Sequence, residues 1–325
     1  MEHLEEFPAA KEEEVLPDIE GFLNQHRDLV IEIQELFQTQ DYKSFLTLPD
    51  KLGELYSFCE DQIPGPRKGL PYQILEALVS PDHLRTQEEK YSSLYDEDGL
   101  YLPAERSGGG DFWLKQEGGA SVGGTVNEGG AILFDMAGHG YEASITKAFT
   151  ARLAELYHQH FPEGPGPQDA NLCAVMDSFM QGCPFEIALV EYAEVKSSKS
   201  EDGSNLLHFE RAGGAPVFVR SREKGQVQRI TEGYPVLGYG FAANRTPIIS
   251  ELKTKEALDV FLASDGLSDI QMEDGRFADS FEEFCRQREG LSPEGFKKEL
   301  FDFVKKAKKE GRAPDDTTVI TISIL

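Results

Sequence analysis

The feature that most constrains the fold is a succession of short β-rich runs filling the second half of the chain. "FEIALVEYAEV" (185–195), "NLLHFERAGG" (205–214), "PVFVRS" (216–221) and "QVQRI" (226–230) follow one another closely. "ALDVFLASDGLSDI" (257–270) is a strand opening into a turn, and "TTVITISIL" (317–325) reads as a closing strand. Most alternate inward and outward residues, as half-buried strands do. Upstream, "GLYLPAERSGGGDFWLKQ" (99–116) and "GASVGGTVNEGGAILFD" (119–135) continue the texture, with glycine pairs that suit tight hairpins. Helical spacing appears at Tyr141–Phe161, in "SFEEFCRQ" and in "SPEGFKKELFDFVKKAKKEG". Strands joined as hairpins, with helices segregated between them, predict an α+β domain. Alternation in so many strands predicts two antiparallel sheets packed face to face, with helices outside.

The first 90 residues read differently. Residues 1–17 are acidic and are expected to be a disordered tail. From Asp18, a plausible N-cap, Ile19, Phe22, Leu23, Leu29, Val30, Ile33, Leu36 and Phe37 recur at helical spacing. Phe45, Leu46, Leu52, Leu55, Tyr56 and Phe58 form a second series that ends before "IPGPRKGLP", and a third helix is expected near Tyr72–Leu78. Residues 18–90 thus form a small helical module ahead of a domain spanning 91–325. Two readings stay open: the module simply packs on the rest of the chain, or it dimerises or receives a signal.

Charge narrows the partners. With 58 acidic against 32 basic residues, the net charge is −26. That field repels nucleic acid and anionic membrane and attracts cations. Neither nucleic acid nor membrane is expected as a partner, and no apolar run approaches the length of a membrane span. The opening "MEHLEEFPAAKEEEV" lacks the basic start and apolar middle of a signal peptide. The four cysteines form no Cys-x-x-Cys pair. They suit a reducing compartment and read as buried apolar residues. The expected location is the cytoplasm.

Four places share one grammar, a strand or turn meeting an aspartate beside glycine or a second aspartate. They are "SGGGDFW" (Asp111), "AILFDMAGHG" (Asp135), "VFLASDGLSD" (Asp265) and "GRAPDDTTVITI" (Asp315, Asp316). Any one alone is ordinary turn chemistry. Carboxylates gathered together repel, and cations relieve them. Mg²⁺ and Mn²⁺ do so through oxygen ligands. Two such ions about 3.5–4 Å apart can hold a bridging hydroxide and polarise a phosphoryl oxygen. The chemistry expected is metal-assisted hydrolysis of a phosphate ester, with water as nucleophile and no phosphoenzyme.

In order, "PAERSGGGDFW", "AILFDMAGHGYEAS", "LHFERAGGAPVFV", "LGYGF", "VFLASDGLSDI" and "PDDTTVITISI" resemble the bacterial metal-dependent (PPM-type) serine/threonine phosphatases, in particular the SpoIIE/RsbU group. The resemblance spans roughly residues 95–325. It implies a four-layer α-β-β-α sandwich, two Mn²⁺ or Mg²⁺ ions, and a substrate phosphorylated on serine or threonine. In this group that substrate is a STAS-type regulatory protein of partner-switching signalling. By position, Asp135 bridges both ions, the Met136 carbonyl adds a ligand, and Asp111, Asp265 and Asp315 complete the site. Asp135 and Asp265 are then the catalytic pair. Asp316 has no assigned role. Gly138 and Gly140 let the loop approach the ions, and the helix from Tyr141 with the next one corresponds to the regulatory and substrate-docking region. Two positions depart from the pattern: Leu114 stands where the family has a second aspartate, and Gly214 where it has histidine.

Other candidates fare worse. His139 could orient a phosphate or transfer a proton, or be a plain turn residue. His158 and His160 sit at a helix end on different faces, which argues against a metal pair. No P-loop, no Gly-x-Ser-x-Gly elbow and no cysteine followed by five residues and then an arginine is present. The alternatives to a phosphoprotein phosphatase are a catalytically weak binding module on the same fold and a hydrolase of small phosphate compounds. The helical module is the place where a homodimer would form.

Overall fold

Period-two alternation assigns the two faces of each central strand to different cores. In β3 (Asn127–Met136), Ile132, Phe134 and Met136 enter one apolar cluster while Ala131 and Leu133 enter another. In β9 (Leu258–Ala263), Val260 and Leu262 join that second cluster and Phe261 and Ala263 a third. The shared cluster is therefore the seam between two sheets, and the other two lie on their outer faces.

The computed structural model describes residues 19–62, 99–102, 111–116, 127–136, 141–161, 171–183, 189–242, 248–273, 275–313 and 315–324. The first sheet has the order β2-β3-β4-β5-β8, with β2 (Phe112–Gln116), β4 (Val190–Lys199), β5 (Asn205–Ala212) and β8 (Ile249–Thr254). The second has the order β1-β12-β9-β6-β7, with β1 (Gly99–Leu102), β6 (Val217–Ser221), β7 (Val227–Ile230) and β12 (Thr317–Ile324). Every pairing is antiparallel. Helices α5 (Tyr141–His160) and α6 (Leu172–Gly182) cover the first sheet through Phe149, Leu153, Tyr157, Met176 and Phe179. On the second sheet, beyond a one-turn helix α7 (Asp265–Ser268) and a short antiparallel pair, β10 (Gln271–Met272) and β11 (Gly275–Arg276), lie α8 (Phe277–Arg286) and α9 (Pro293–Lys309), anchored by Phe281, Phe296, Leu300 and Val304. The result is the four-layer α-β-β-α sandwich expected from the sequence. No helix among the described residues is long and apolar enough to cross a membrane.

Helices α1 (Ile19–Gln25), α2 (Arg27–Gln38), α3 (Tyr42–Phe45) and α4 (Leu48–Gln62) share the core of α5 and α6. Phe45 stacks on Phe179 with centroids 5.5 Å apart, and Phe37 meets Phe149 at 4.9 Å. The first helical series is interrupted at His26, whose ring lies between those of Phe22 and Phe58. Asp18, the acidic tail and the helix expected at Tyr72–Leu78 lie outside the described residues.

Residue pattern alone did not mark two elements, the first of them implied only by the family resemblance as the helix after Tyr141–Phe161. Helix α6 is short and buries nearly all of its residues between α4, α5 and the sheet; its local signal is Asn171, whose side chain caps the Ala174 N–H at 2.9 Å. Strand β8 is an edge strand with four polar or charged residues among the six of "ISELKT" and no fully buried position. Nor do the first two strands form a hairpin with each other: β1 joins β12, and β2 joins β3 in the other sheet. Asp177, wholly buried on α6, accepts the N–H groups of Gly238, Gly240 and Ala242 at 2.7–2.9 Å and pins the loop carrying exposed Tyr239 and Phe241. Cys173 and Cys285 are buried and Cys183 is half-buried, and all three are free thiols.

Candidate metal centre

Three neighbouring strands place a carboxylate one step beyond their last seam residue. In β3 the seam residue Leu133 precedes Asp135, in β4 Ala193 follows Glu191, and in the segment entering β2 Trp113 follows Asp111. Period-two parity turns all three toward the space between the sheets. Asp135 pairs directly with Glu191 across β3 and β4, and the Phe112–Phe134 pairing extends by one residue to bring Asp111 opposite Asp135. Like charges in adjacent cross-strand positions repel, so this row needs a cation or protons to be stable.

The facing sheet supplies the rest. Strand β9 ends at Ala263, Ser264 follows, and the backbone N–H of Asp265 donates to Asp135 Oδ2 at 3.1 Å. Ligand oxygens of Asp135, Glu191 and Asp265 all lie within 4.8 Å of one another. Ser264 Oγ accepts the Thr318 N–H at 2.9 Å, tying β9 to β12. The turn after Asp265 must be glycine: a Cβ on Gly266 would lie 1.7 Å from the Asp316 carbonyl oxygen.

Asp111 is 1% exposed; its Oδ2 accepts from Thr318 Oγ1 at 2.8 Å, while Oδ1 has no hydrogen-bond partner among the described residues. Asp316 is buried and raises the cost of charging Asp111. Asp315 is exposed, and its Oδ1 accepts the Asp316 N–H at 2.8 Å. Its carbonyl accepts from Lys308 Nζ at 2.5 Å, and its charge acts on Asp265. Met136 buries its side chain at the end of β3. Gly138, His139 and Gly140 lie outside the described residues. Leu114 packs toward the α5 side, on the opposite face of β2 from Asp111.

Electrostatics agree with the geometry. Burial, then the charge of Asp111 and Asp265, pushes the Asp135 carboxyl far above the usual range. Burial likewise raises Asp111, and burial with Glu191 and Asp315 raises Asp265. Carboxylates this strained as a bare set, with a buried oxygen left unsatisfied, fit a hard divalent cation, which takes oxygen ligands. His158 and His160 do not join them: His158 faces Glu194 at 3.8 Å, and His160 stacks on Tyr42.

Sequence reasoning missed Glu191 and Lys308. Glu191 sits in a run where a charged residue between apolar ones reads as solvent-facing, and Lys308 belongs to a lysine-rich helix end. Only the facing positions of β3 and of the 315–316 turn mark them.

A family model for Stage II sporulation protein E (SpoIIE) matches residues 128–325, more than half of the chain. The chain belongs to the SpoIIE family. Solved structures show its fold to be that of the PP2C phosphatases. The SiaA-PP2C domain of Pseudomonas aeruginosa aligns with a TM-score of 0.53 at 17% identity, covering 74% of this chain and 93% of that one. The PP2C phosphatase domain of SpoIIE from Bacillus subtilis, with a fragment of its regulatory domain, aligns at 0.51 and 18%, covering 70% and 62%. RsbU and RsbW domains from Mycobacterium tuberculosis align at 0.51 and 16%, covering 69% and 59%. No curated protein matches this SpoIIE-family chain by sequence.

Proposed function

We propose that this SpoIIE-family chain is a metal-dependent phosphoprotein phosphatase acting on phosphoserine or phosphothreonine. The observation that carries the reading is the convergence of Asp135, Glu191 and Asp265 from two sheets, next to the unsatisfied buried oxygen of Asp111. Asp111, Asp135, the Met136 carbonyl, Asp265 and Asp315 are the proposed ligands and would hold two Mn²⁺ or Mg²⁺ ions, with Asp135 at the centre of the set. When bound, such ions supply Lewis-acid polarisation of the phosphoryl group and an acidified water as nucleophile.

The chain's own residues hold that arrangement in register. Thr318 orients Asp111, the Asp265 amide orients Asp135, and Ser264 fixes the end of β9 against β12. Lys308 steadies the turn bearing Asp315. The strand ends are rigid because the seam core lies directly behind them, so little reorganisation is needed when a phosphoryl group arrives. The motif order shared with the SpoIIE/RsbU group supports a phosphorylated STAS-type regulatory protein as the substrate, in the cytoplasm. Residues 18–90 are proposed as the regulatory or dimerising region preceding a phosphatase domain at 91–325.

Purified chain with Mn²⁺ is expected to release phosphate from a phosphoserine peptide, and chelator to stop it. Asp265→Asn keeps the backbone amide that orients Asp135 and is expected to lower turnover on the order of a hundredfold or more, the scale of losing one charged group at such a centre. Turnover indifferent to chelator and to this substitution overturns the reading.

A further inference from the structure

Glu191 is the carboxylate that the motif pattern does not account for, and its surroundings are built around it. The β5 strand ends in a turn at Gly213 and Gly214, with Gly213 at φ +74°. Glu191 Oε1 accepts the Gly214 N–H at 2.7 Å. A Cβ on Gly214 would lie 2.9 Å from Glu191 Oε1 and 3.2 Å from Oε2, and one on Gly213 would lie 2.8 Å from Glu191 Cγ. The glutamate thus fills the space where side chains at both positions would begin. Arg211, the neighbouring cation, spends its donors on the turn itself, on the carbonyls of Gly213 at 2.9 Å, Ala215 at 3.3 Å and Thr231 at 2.7 Å. Glu191 Oε2 is buried and makes no hydrogen bond with any described residue. A second buried oxygen without a partner, Asp111 Oδ1, stands two strands away in the same row. Between them lies Asp135, directly opposite Glu191 and with a ligand atom within 4.8 Å of it.

A carboxylate whose only job was to cap the Gly214 turn would not need to stand beside Asp135, where it adds repulsion. We propose that Glu191 is a ligand of the divalent cation site in this chain, and that the Gly213–Gly214 pair is what admits it. One oxygen holds the turn, and the other is left for the cation. The inference rests on the metal-dependent reading above and extends it to a residue outside the recognised motifs. Glu191 would thus add a β4 residue to a site otherwise supplied by β3 and the end of β9, so that carboxylates of both sheets would hold the cation.

The test is Mn²⁺ binding to the full chain by titration calorimetry, with melting curves in chelator and in Mn²⁺. Glu191→Gln keeps the oxygen that accepts from Gly214, and is expected to weaken Mn²⁺ about tenfold or more, the loss typical of perturbing a metal's ligand shell. Removing one of the opposed charges is expected to leave the chelated protein as stable as the parent or more so, with a smaller Mn²⁺-induced rise in melting temperature. Gly214→Ala alters no carboxylate but forces the glutamate aside, and is expected to weaken Mn²⁺ as well. Parent-like Mn²⁺ affinity in Glu191→Gln, with binding lost in Asp265→Asn, overturns this inference and leaves the phosphatase reading standing. Absence of Mn²⁺ binding by the parent chain overturns both.

Discussion

Gly266 shows how tightly the residues of this centre are constrained. Its backbone runs so close to β12 that any side chain would collide with the Asp316 carbonyl, a backbone atom with no rotamer to yield. Gly266→Ala is therefore expected to destabilise the fold by about 1–3 kcal/mol or more, the usual cost of overpacking. Urea unfolding of the metal-free protein measures it. A parent-like midpoint would mean that β9 and β12 part more easily than their register implies. The Asp-Gly pair at 265–266 reads from sequence as a common turn, and that reading holds. What it does not reveal is that the glycine is demanded by a segment fifty residues downstream.

Between elements, the same chemistry recurs without metal ligands. Under α5 and α6, β4 and β5 bury Glu194 opposite Glu210, beside Lys196, His158, Tyr192, Cys173 and Asn171. Burial alone would raise Glu194, but Lys196, His158 and Tyr192 together hold it below its ordinary value. Burial and then Glu194 push Glu210 up to about 7. At acid pH both folded and unfolded states keep the Glu210 proton. As pH rises past its ordinary value of 4.5 the unfolded chain releases the proton while the folded chain holds it, so stability falls until about pH 7. Glu210→Gln, which keeps an oxygen for Asn171, is expected to match the parent near pH 4. It should then gain on the parent with rising pH, by about 3 kcal/mol at pH 8. Melting temperatures across that range check this, and a constant difference would refute it. From sequence these glutamates read as outward positions of alternating strands, because nothing local announces that α5 and α6 will close over them.

For the whole molecule, two sheets and two helical layers leave three cores, and the first helices belong to one of them. Phe22, Ile33, Phe45, Leu48, Leu52 and Leu55 pack with Phe149 and Phe179, so α1–α4 complete the layer over the first sheet. Removing residues 1–62 would uncover these apolar side chains, at roughly 1.5–3 kcal/mol for each large one. The truncated chain is expected to melt well below the parent and to self-associate, as read by calorimetry and light scattering. A truncated chain with parent melting temperature and size would show the layer to be dispensable. The sequence by itself determined the class of fold, since strand alternation and helical spacing are local properties, and it marked Asp111, Asp135 and Asp265 because strand ends meeting glycine are local too. Only the tertiary structure decided that Glu191 joins them, that Asp316 rather than Asp315 is the buried member of its pair, and that β1 and β2 part into different sheets. Each of these depends on register between strands distant in sequence, where a slip of one residue turns every side chain to the other face.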